Sequence, residues 1–250
     1  TTGDQNTALG KSALGKNTTA NNNTAVGSNC LLSNETGTAN TAVGSSSLDA
    51  CISGNNNTAV GTSALGANTT AANNTAIGRS SMLVNTTGHQ NVALGANSLD
   101  ANTTASNNTA IGYQALSSNS TGGSNVAVGA NALDVNTTAA GNTAVGTNAL
   151  GANTTGAANV AVGNSALLKN IESSQNTAVG DQALENNTEG EANTAIGRRA
   201  LEANTTADNN TACGLQALKV NTTGASNVAV GSNALVANLT ASNNTAVGKG

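Results

Sequence analysis

The 250-residue chain contains no Phe, no Trp and no Pro, and its one tyrosine is Tyr113. The large aromatic side chains that dominate most cores are therefore missing. Burial falls instead to Ala, Val, Leu and Ile. Charge is scarce too, with eight Lys and Arg scattered among twelve Asp and Glu for a net of −4. There is no basic stripe for nucleic acid and no polybasic segment for anionic lipid, so neither is implied as a partner. The apolar runs are short, which excludes a transmembrane helix, and no membrane insertion is expected. The start TTGDQNTALG lacks the charged and apolar regions of a signal peptide, so an export signal is expected only outside this stretch.

Reactive groups are equally sparse. Catalysis needs unlike residues converging, such as a nucleophile, a base and an orienting group. The single histidine, His89, falls at a variable turn position and reads as a solvent-exposed turn residue. Calcium-binding rolls need recurrent carboxylates, whereas Asp occurs only sporadically here, as at Asp100 and Asp134. The three cysteines replace unrelated residues of one template: Cys30 stands for Ala, Cys51 for Asn and Cys213 for Val. That is neither a disulfide framework nor a metal quartet. The expectation is a chain that is not an enzyme and needs no cofactor.

What the sequence does contain is repetition. The glycine ending each N-[TV]-A-[VILC]-G motif recurs every 17 residues from Gly10 to Gly248 without insertion. A fixed period held end to end marks a solenoid, each repeat forming one stacked coil. Regular placement of Val and Leu also answers the suspicion of disorder that low charge and abundant Asn, Thr and Gly would raise. Numbered from the motif Asn, the coil reads N-T-A-V-G-x-x-A-L-x-x-N-T-T-(G/A)-x-x. A Gly or Asn interrupts every few residues, which sets helix aside. The short runs TAV and SAL, bounded by turn residues, predict two short strands and two turns per coil.

The fold class expected is thus all-β, a β-solenoid (β-roll) over residues 1–250 with about 14.7 coils. At ~4.8 Å per coil its length is on the order of 70 Å. It carries no polar capping repeat at either end, which reads as a fragment of a longer fibre or a unit of an end-to-end filament.

Neighbouring side chains on a strand point to opposite faces. The invariant Ala of TAV therefore faces one way and the following Val or Ile the other, with the Ala-Leu pair repeating the pattern. One face lines the coil interior; the other needs a partner. Positions 3, 4, 8 and 9 form the expected structural core, exemplified by Ala144, Val145, Ala149, Leu150, Ala161, Val162, Ala166 and Leu167. The two-faced pattern predicts a homo-oligomer, three parallel rolls sharing an axis lined by the Val/Ile/Leu positions. The competing arrangement is a monomeric solenoid with both apolar faces turned inward.

Position 12 is expected to form an Asn ladder, with successive rungs at Asn68, Asn85, Asn102, Asn119, Asn136 and Asn153. Each side-chain amide donates to one neighbour and accepts from the other, and Asn tolerates the left-handed backbone of tight turns. Several of these residues sit in Asn-x-Thr sequons, among them Asn17, Asn68, Asn102 and Asn153. Each is a candidate glycosylation site in a glycosylating host, although Asn ladders followed by Thr create such sequons by accident. Position 15 alternates Gly and Ala from Gly54 onward, a two-coil unit that duplication explains. Flat Thr arrays on solenoids can bind ice when Thr recurs at i and i+2, but NTT places its two Thr side by side, on opposite faces.

The repeat in NTAVGTNALGANTTG, residues 142–156, resembles two related groups. One is the repeat shaft of bacteriophage and bacterial fibre proteins that often end in an endosialidase-type intramolecular chaperone. The other is the head of the YadA-like trimeric autotransporter adhesins, whose NSVAIG motif looks like NTAVG. The resemblance covers the whole chain. It implies an extracellular fibre at a cell surface or on a virion, trimeric, presenting an end that binds a host-surface receptor or glycan. The function expected is a structural shaft, with a surface-binding module along the solenoid, adhesin-like or ice-binding, as the alternative.

Overall fold

The computed structural model describes residues 2–250 and divides into two compact units, Thr1–Ser124 and Asn125–Gly250. Both are built from the same 17-residue coil. The first holds seven three-residue strands, from β1 (Thr7–Leu9) to β7 (Thr109–Ile111). The second holds eight, from β8 (Val126–Val128) to β15 (Thr245–Val247). Within each unit consecutive strands pair in parallel with a shift of one coil, so that Ala8 lies beside Ala25 and Ala144 beside Ala161. A parallel sheet with strands in sequence order follows directly from a chain that returns to the same place every 17 residues.

This is an all-β parallel solenoid, as the period implies, but it has one strand per coil rather than two. The segment expected as a second strand, Asn-Ala-Leu in the coil beginning at Asn142, is a chain of tight turns instead. Ala149 N–H donates to Gly146 O at 3.3 Å, Gly151 N–H to Asn148 O at 3.2 Å, and Asn153 N–H to Leu150 O at 3.1 Å. Asn148 and Leu150 have φ of 56° and 51°. A left-handed residue third in a four-residue turn is the type II arrangement. The turns keep the coils joined, because Leu150 N–H still donates to Ala166 O of the next coil at 3.0 Å.

The turn geometry changes which residues are inside. A left-handed residue breaks strand alternation, so Ala149 and Leu150, expected on opposite faces, are both fully buried. Every coil repeats this, from Leu31 to Leu218, with Met82 in the same place. A left-handed backbone costs a non-Gly residue roughly 1–2 kcal/mol. Full burial of Leu contributes about 1.5–3 kcal/mol, which offsets the cost.

Of the expected core, Ala144, Ala149, Leu150, Ala161, Ala166 and Leu167 are fully buried. Val145 and Val162 are not. They follow the inward Ala of β9 (Thr143–Val145) and β10 (Val160–Val162) and point out of the coil, Val145 being 36% exposed. The interior is completed by asparagine, Asn142 and Asn153 in this coil, and by the residue at position 15. Gly146 closes the strand with φ of 135°, where a Cβ would come within 3.0 Å of the Gly163 carbonyl in the next coil. Position 5 is therefore restricted to glycine.

Replacing Leu150 by Ala empties the largest buried side chain of one coil and is expected to destabilise the protein by about 3 kcal/mol. Urea unfolding should show a lower midpoint. An unchanged midpoint would mean that the left-handed Leu column contributes nothing net.

Candidate functional site

Two columns of buried asparagine run through each unit, and the sequence reading anticipated one of them. At position 12, Asn153 Nδ2 donates to Asn136 Oδ1 at 3.1 Å and to the Gly156 carbonyl at 3.0 Å. The rungs at Asn85, Asn102 and Asn119 are joined in the same way, each to the Asn of the coil before. This is the expected Asn ladder. Its backbone, however, is not left-handed; the asparagines with positive φ are others, such as Asn73 and Asn148.

The second column is the motif Asn itself. Asn159 donates its backbone N–H to Asn142 Oδ1 at 2.9 Å, while Asn142 Nδ2 donates to Gly156 O at 2.9 Å. One inward carbonyl at position 15 thus accepts from both columns, using its two lone pairs. The signal available in the sequence was the constancy of Asn at position 1, which also suits a strand-preceding turn.

The position-15 residue must be small because its carbonyl is turned into this network. A Cβ on Gly156 would lie within 3.0 Å of Ser173 O and Asn153 Oδ1. Gly54, Gly88, Gly190 and Gly224 are equally crowded by the carbonyl of the next coil. The Gly and Ala alternation therefore has a steric basis beyond duplication. The coil of Gly156 also makes a paired bond to the next one: Thr155 N–H and Thr154 N–H both donate to Ile171 O, at 3.3 and 2.8 Å.

The sequon asparagines are ladder residues. Asn68, Asn102 and Asn153 are fully buried with Nδ2 donating to Ala71 O, Ala105 O and Gly156 O. Asn17, half-buried in the first coil, donates to Ala20 O at 3.2 Å. Nδ2 is the atom that would carry a sugar, so a glycan on a buried rung requires the coil to open.

Where the template is broken, the structure absorbs the change. Ser47 and Ser81, in place of the position-8 Ala, donate to the carbonyls of Ala59 and Ala93. Cys51 replaces a ladder Asn and makes only long sulfur contacts, 3.6 Å to Gly54 O and 3.9 Å to Asn34 Oδ1. Burial pushes its thiol up to about 11. Cys30 is likewise buried and its thiol raised by burial, whereas Cys213 is exposed on the outer face.

The outer face of the sheet is the most regular surface. Positions 2 and 4 both point outward, giving one column of Thr or Val and one of Val, Ile or Leu. Ile77, Leu94, Val145, Ile196 and Val230 are each more than a third exposed. The two Thr columns differ in state. Position-13 hydroxyls are engaged, as Thr86 Oγ1 donates to Thr103 O at 3.0 Å and Thr205 Oγ1 to Thr222 O at 3.2 Å. Among the described residues, the position-2 hydroxyls of Thr24, Thr41, Thr58 and Thr75 have no partner in the chain. The outward pair at i and i+2 is therefore Thr-Ala-Val, and the two Thr of NTT both reach the surface rather than opposite faces.

In the second unit a surface groove of about 630 Å³ opens where Gly151 and Ala152 leave a notch between Asp134 and Val135 on one side and Leu168 and Lys169 on the other. Among the described residues, no three His, Cys, Asp or Glu side chains converge to hold a metal ion.

Two predictions follow from this packing. Cys51→Asn should complete the ladder, its amide meeting Gly54 O and Asn34 Oδ1, and raise stability by about 1 kcal/mol; a urea midpoint at or below that of the unmodified chain would count against it. Burial raises the carboxyl pKa of Asp49, Asp100 and Asp134, against backbone hydrogen bonds that lower it. With the folded value above the unfolded one, the folded state holds more protons, so these groups make stability rise as pH falls through the carboxylate range. The triple Asp→Asn variant should lose that part of the pH dependence of the thermal midpoint.

In comparisons with known proteins, no protein-family model matches the chain, and no curated protein matches its sequence.

Proposed function

We propose that this chain is a structural, non-catalytic element, the shaft of an extracellular fibre of the adhesin or tail-fibre type at a cell surface or on a virion. The observation that carries the reading is the propagating interior. Nearly every coil satisfies its buried amides with its own carbonyls and with the coil on either side, Asn210 Nδ2 being an exception, so that adding a coil adds the same bonds again. Few backbone groups are left for a protease to engage, and the conserved geometry of one coil is transferred to the next without any active-site chemistry. The resemblance of NTAVGxxALxxNTTG to fibre shafts and adhesin heads agrees with this reading.

The proposed assembly is a parallel homotrimer. Its seam differs from the one the sequence implied, because the Leu column is inside the coil. What remains for partners is the outer face at positions 2 and 4. In-register parallel copies set each Val and Ile of position 4 against its equals, and burying them removes apolar surface from water at about 25 cal/mol per Å². A receptor or glycan on the host surface is the proposed partner of a shaft of this kind.

One observation favours a second reading, in which the same face binds ice. The unpartnered Thr hydroxyls stand beside aliphatic groups at i and i+2 with the regular coil spacing, the geometry needed to hold ordered water. The two readings use one face and exclude each other.

Analytical ultracentrifugation separates them. The fibre reading expects three times the chain mass, and Val145→Asp with Val162→Asp should yield single chains that remain folded, since Val145 is already exposed in one chain. Mild oxidation should also join copies through Cys213, which lies in the same outward column, and Cys213→Ser should abolish the cross-link. A single-chain mass with no cross-link removes the trimer. Ice-crystal shaping by that single chain would establish the second reading.

A further inference from the structure

The turn at positions 15 to 17 contains a backbone N–H that the coil itself does not satisfy. In several coils the N–H at position 16 is capped instead by a side chain from the following coil, whereas Ser106, Gly123 and Ala140 face Gly or Ala there and have no such cap. Thr38 N–H donates to Asn55 Oδ1 at 2.7 Å, Ala157 N–H to Ser174 Oγ at 3.0 Å, Glu191 N–H to Asp208 Oδ1 at 2.7 Å and Ala225 N–H to Ser242 Oγ at 2.9 Å. The sequence alone marks this position as variable, and Asn, Ser and Asp differ in kind. They share one property, a side-chain oxygen that accepts.

His89 occupies the same position and does the same job with nitrogen. Its Nδ1 accepts from Ala72 N–H at 2.9 Å, and its own N–H donates to Ser106 Oγ at 3.0 Å. Three consecutive coils are thereby linked through one residue. An Nδ1 that accepts must be unprotonated, so the imidazole is neutral with its proton on Nε2. Histidine gains a proton in mild acid, and the imidazolium carries N–H on both nitrogens and accepts nothing. Asn and Ser caps do not change in this way.

We propose that His89 is an acid-sensitive clasp, a single junction in the solenoid that loosens when the imidazole is protonated while the Asn- and Ser-capped junctions hold. The turns stacked against it, 71–73 and 105–107, contain only Ala, Ser and Asn. Neither turn carries a titratable or charged side chain. Protonation leaves Ala72 N–H facing a donor, next to the bond from Gln90 N–H to Ala72 O at 3.2 Å and one residue from the buried rung Asn91, whose N–H donates to Asn74 Oδ1 at 2.9 Å. The inference is independent of the fibre reading and of the number of chains, since it concerns one junction within the first unit.

The chain supplies its own control. Asn55 shows that an amide oxygen fits this position, so His89→Asn should cap Ala72 at every pH. Amide exchange at Ala72 and Gln90, corrected for the intrinsic pH dependence, should be protected alike in both proteins at pH 8. At pH 5 it should be roughly five- to tenfold faster in the unmodified chain than in His89→Asn, the size of one lost hydrogen bond, with Thr38 and Ala157 unchanged. Nitrogen chemical shifts of the imidazole at pH 8 should show the proton on Nε2. Equal exchange in the two proteins at pH 5, or a proton on Nδ1 at pH 8, overturns the clasp.

Discussion

The fold depends on the hydrogen bonding of buried primary amides. Seventeen residues cannot close a coil without turning, and at each turn backbone groups face inward where no neighbouring strand can meet them. An unpaired buried polar group costs about 1–3 kcal/mol, a penalty that recurs with every coil. Asn142 and Asn153 remove it by sending both Nδ2 groups to the Gly156 carbonyl, while their oxygens serve the coil that follows. The remaining interior is small: two alanines, one leucine and a Gly or Ala under that carbonyl. The absence of aromatics from the interior is thus a geometric requirement, because the coil has no room for a ring, and Tyr113 lies exposed on the outside.

Much of this was legible in the residues. The 17-residue period, the parallel stacking, the inward Ala of TAV and the ladder at Asn68 to Asn153 all follow from constancy of residue type at fixed spacing. The Leu conformation does not. A leucine with φ near 51° runs against its intrinsic preference, and only the neighbouring turns, held by coils above and below, enforce it. Alternation carried past the strand into the turns predicts a second strand that does not form, while Val145, on the outer side of β9, lies on the surface of the coil rather than in its interior. The function of the position-16 column was hidden for another reason. Asn, Ser, Asp and His look like random surface variation until the N–H they share is seen.

The same logic governs the outer face. Thr and Val interchange at position 2, as at Thr143 and Val160, because shape and β-propensity are nearly equal and the hydroxyl has no intrachain partner. Position 13 keeps its hydroxyl where it can, since there it bonds to the next carbonyl. The two threonine columns thus carry different constraints. One is part of the coil; the other is surface that the coil leaves open for a proposed partner.

The crowding at position 15 also bears on how such a chain avoids mistakes. A sequence that repeats itself offers every coil many near-identical neighbours, and a stack that slips by one coil would otherwise look correct to most of its residues. Gly88 and Gly156 have no space for a methyl group, whereas Ala71 and Ala105 carry one at the same position, so the two kinds of coil differ in this turn. Neighbouring coils are therefore not interchangeable, because a coil built on glycine at this turn has no room for the side chain that the next one carries.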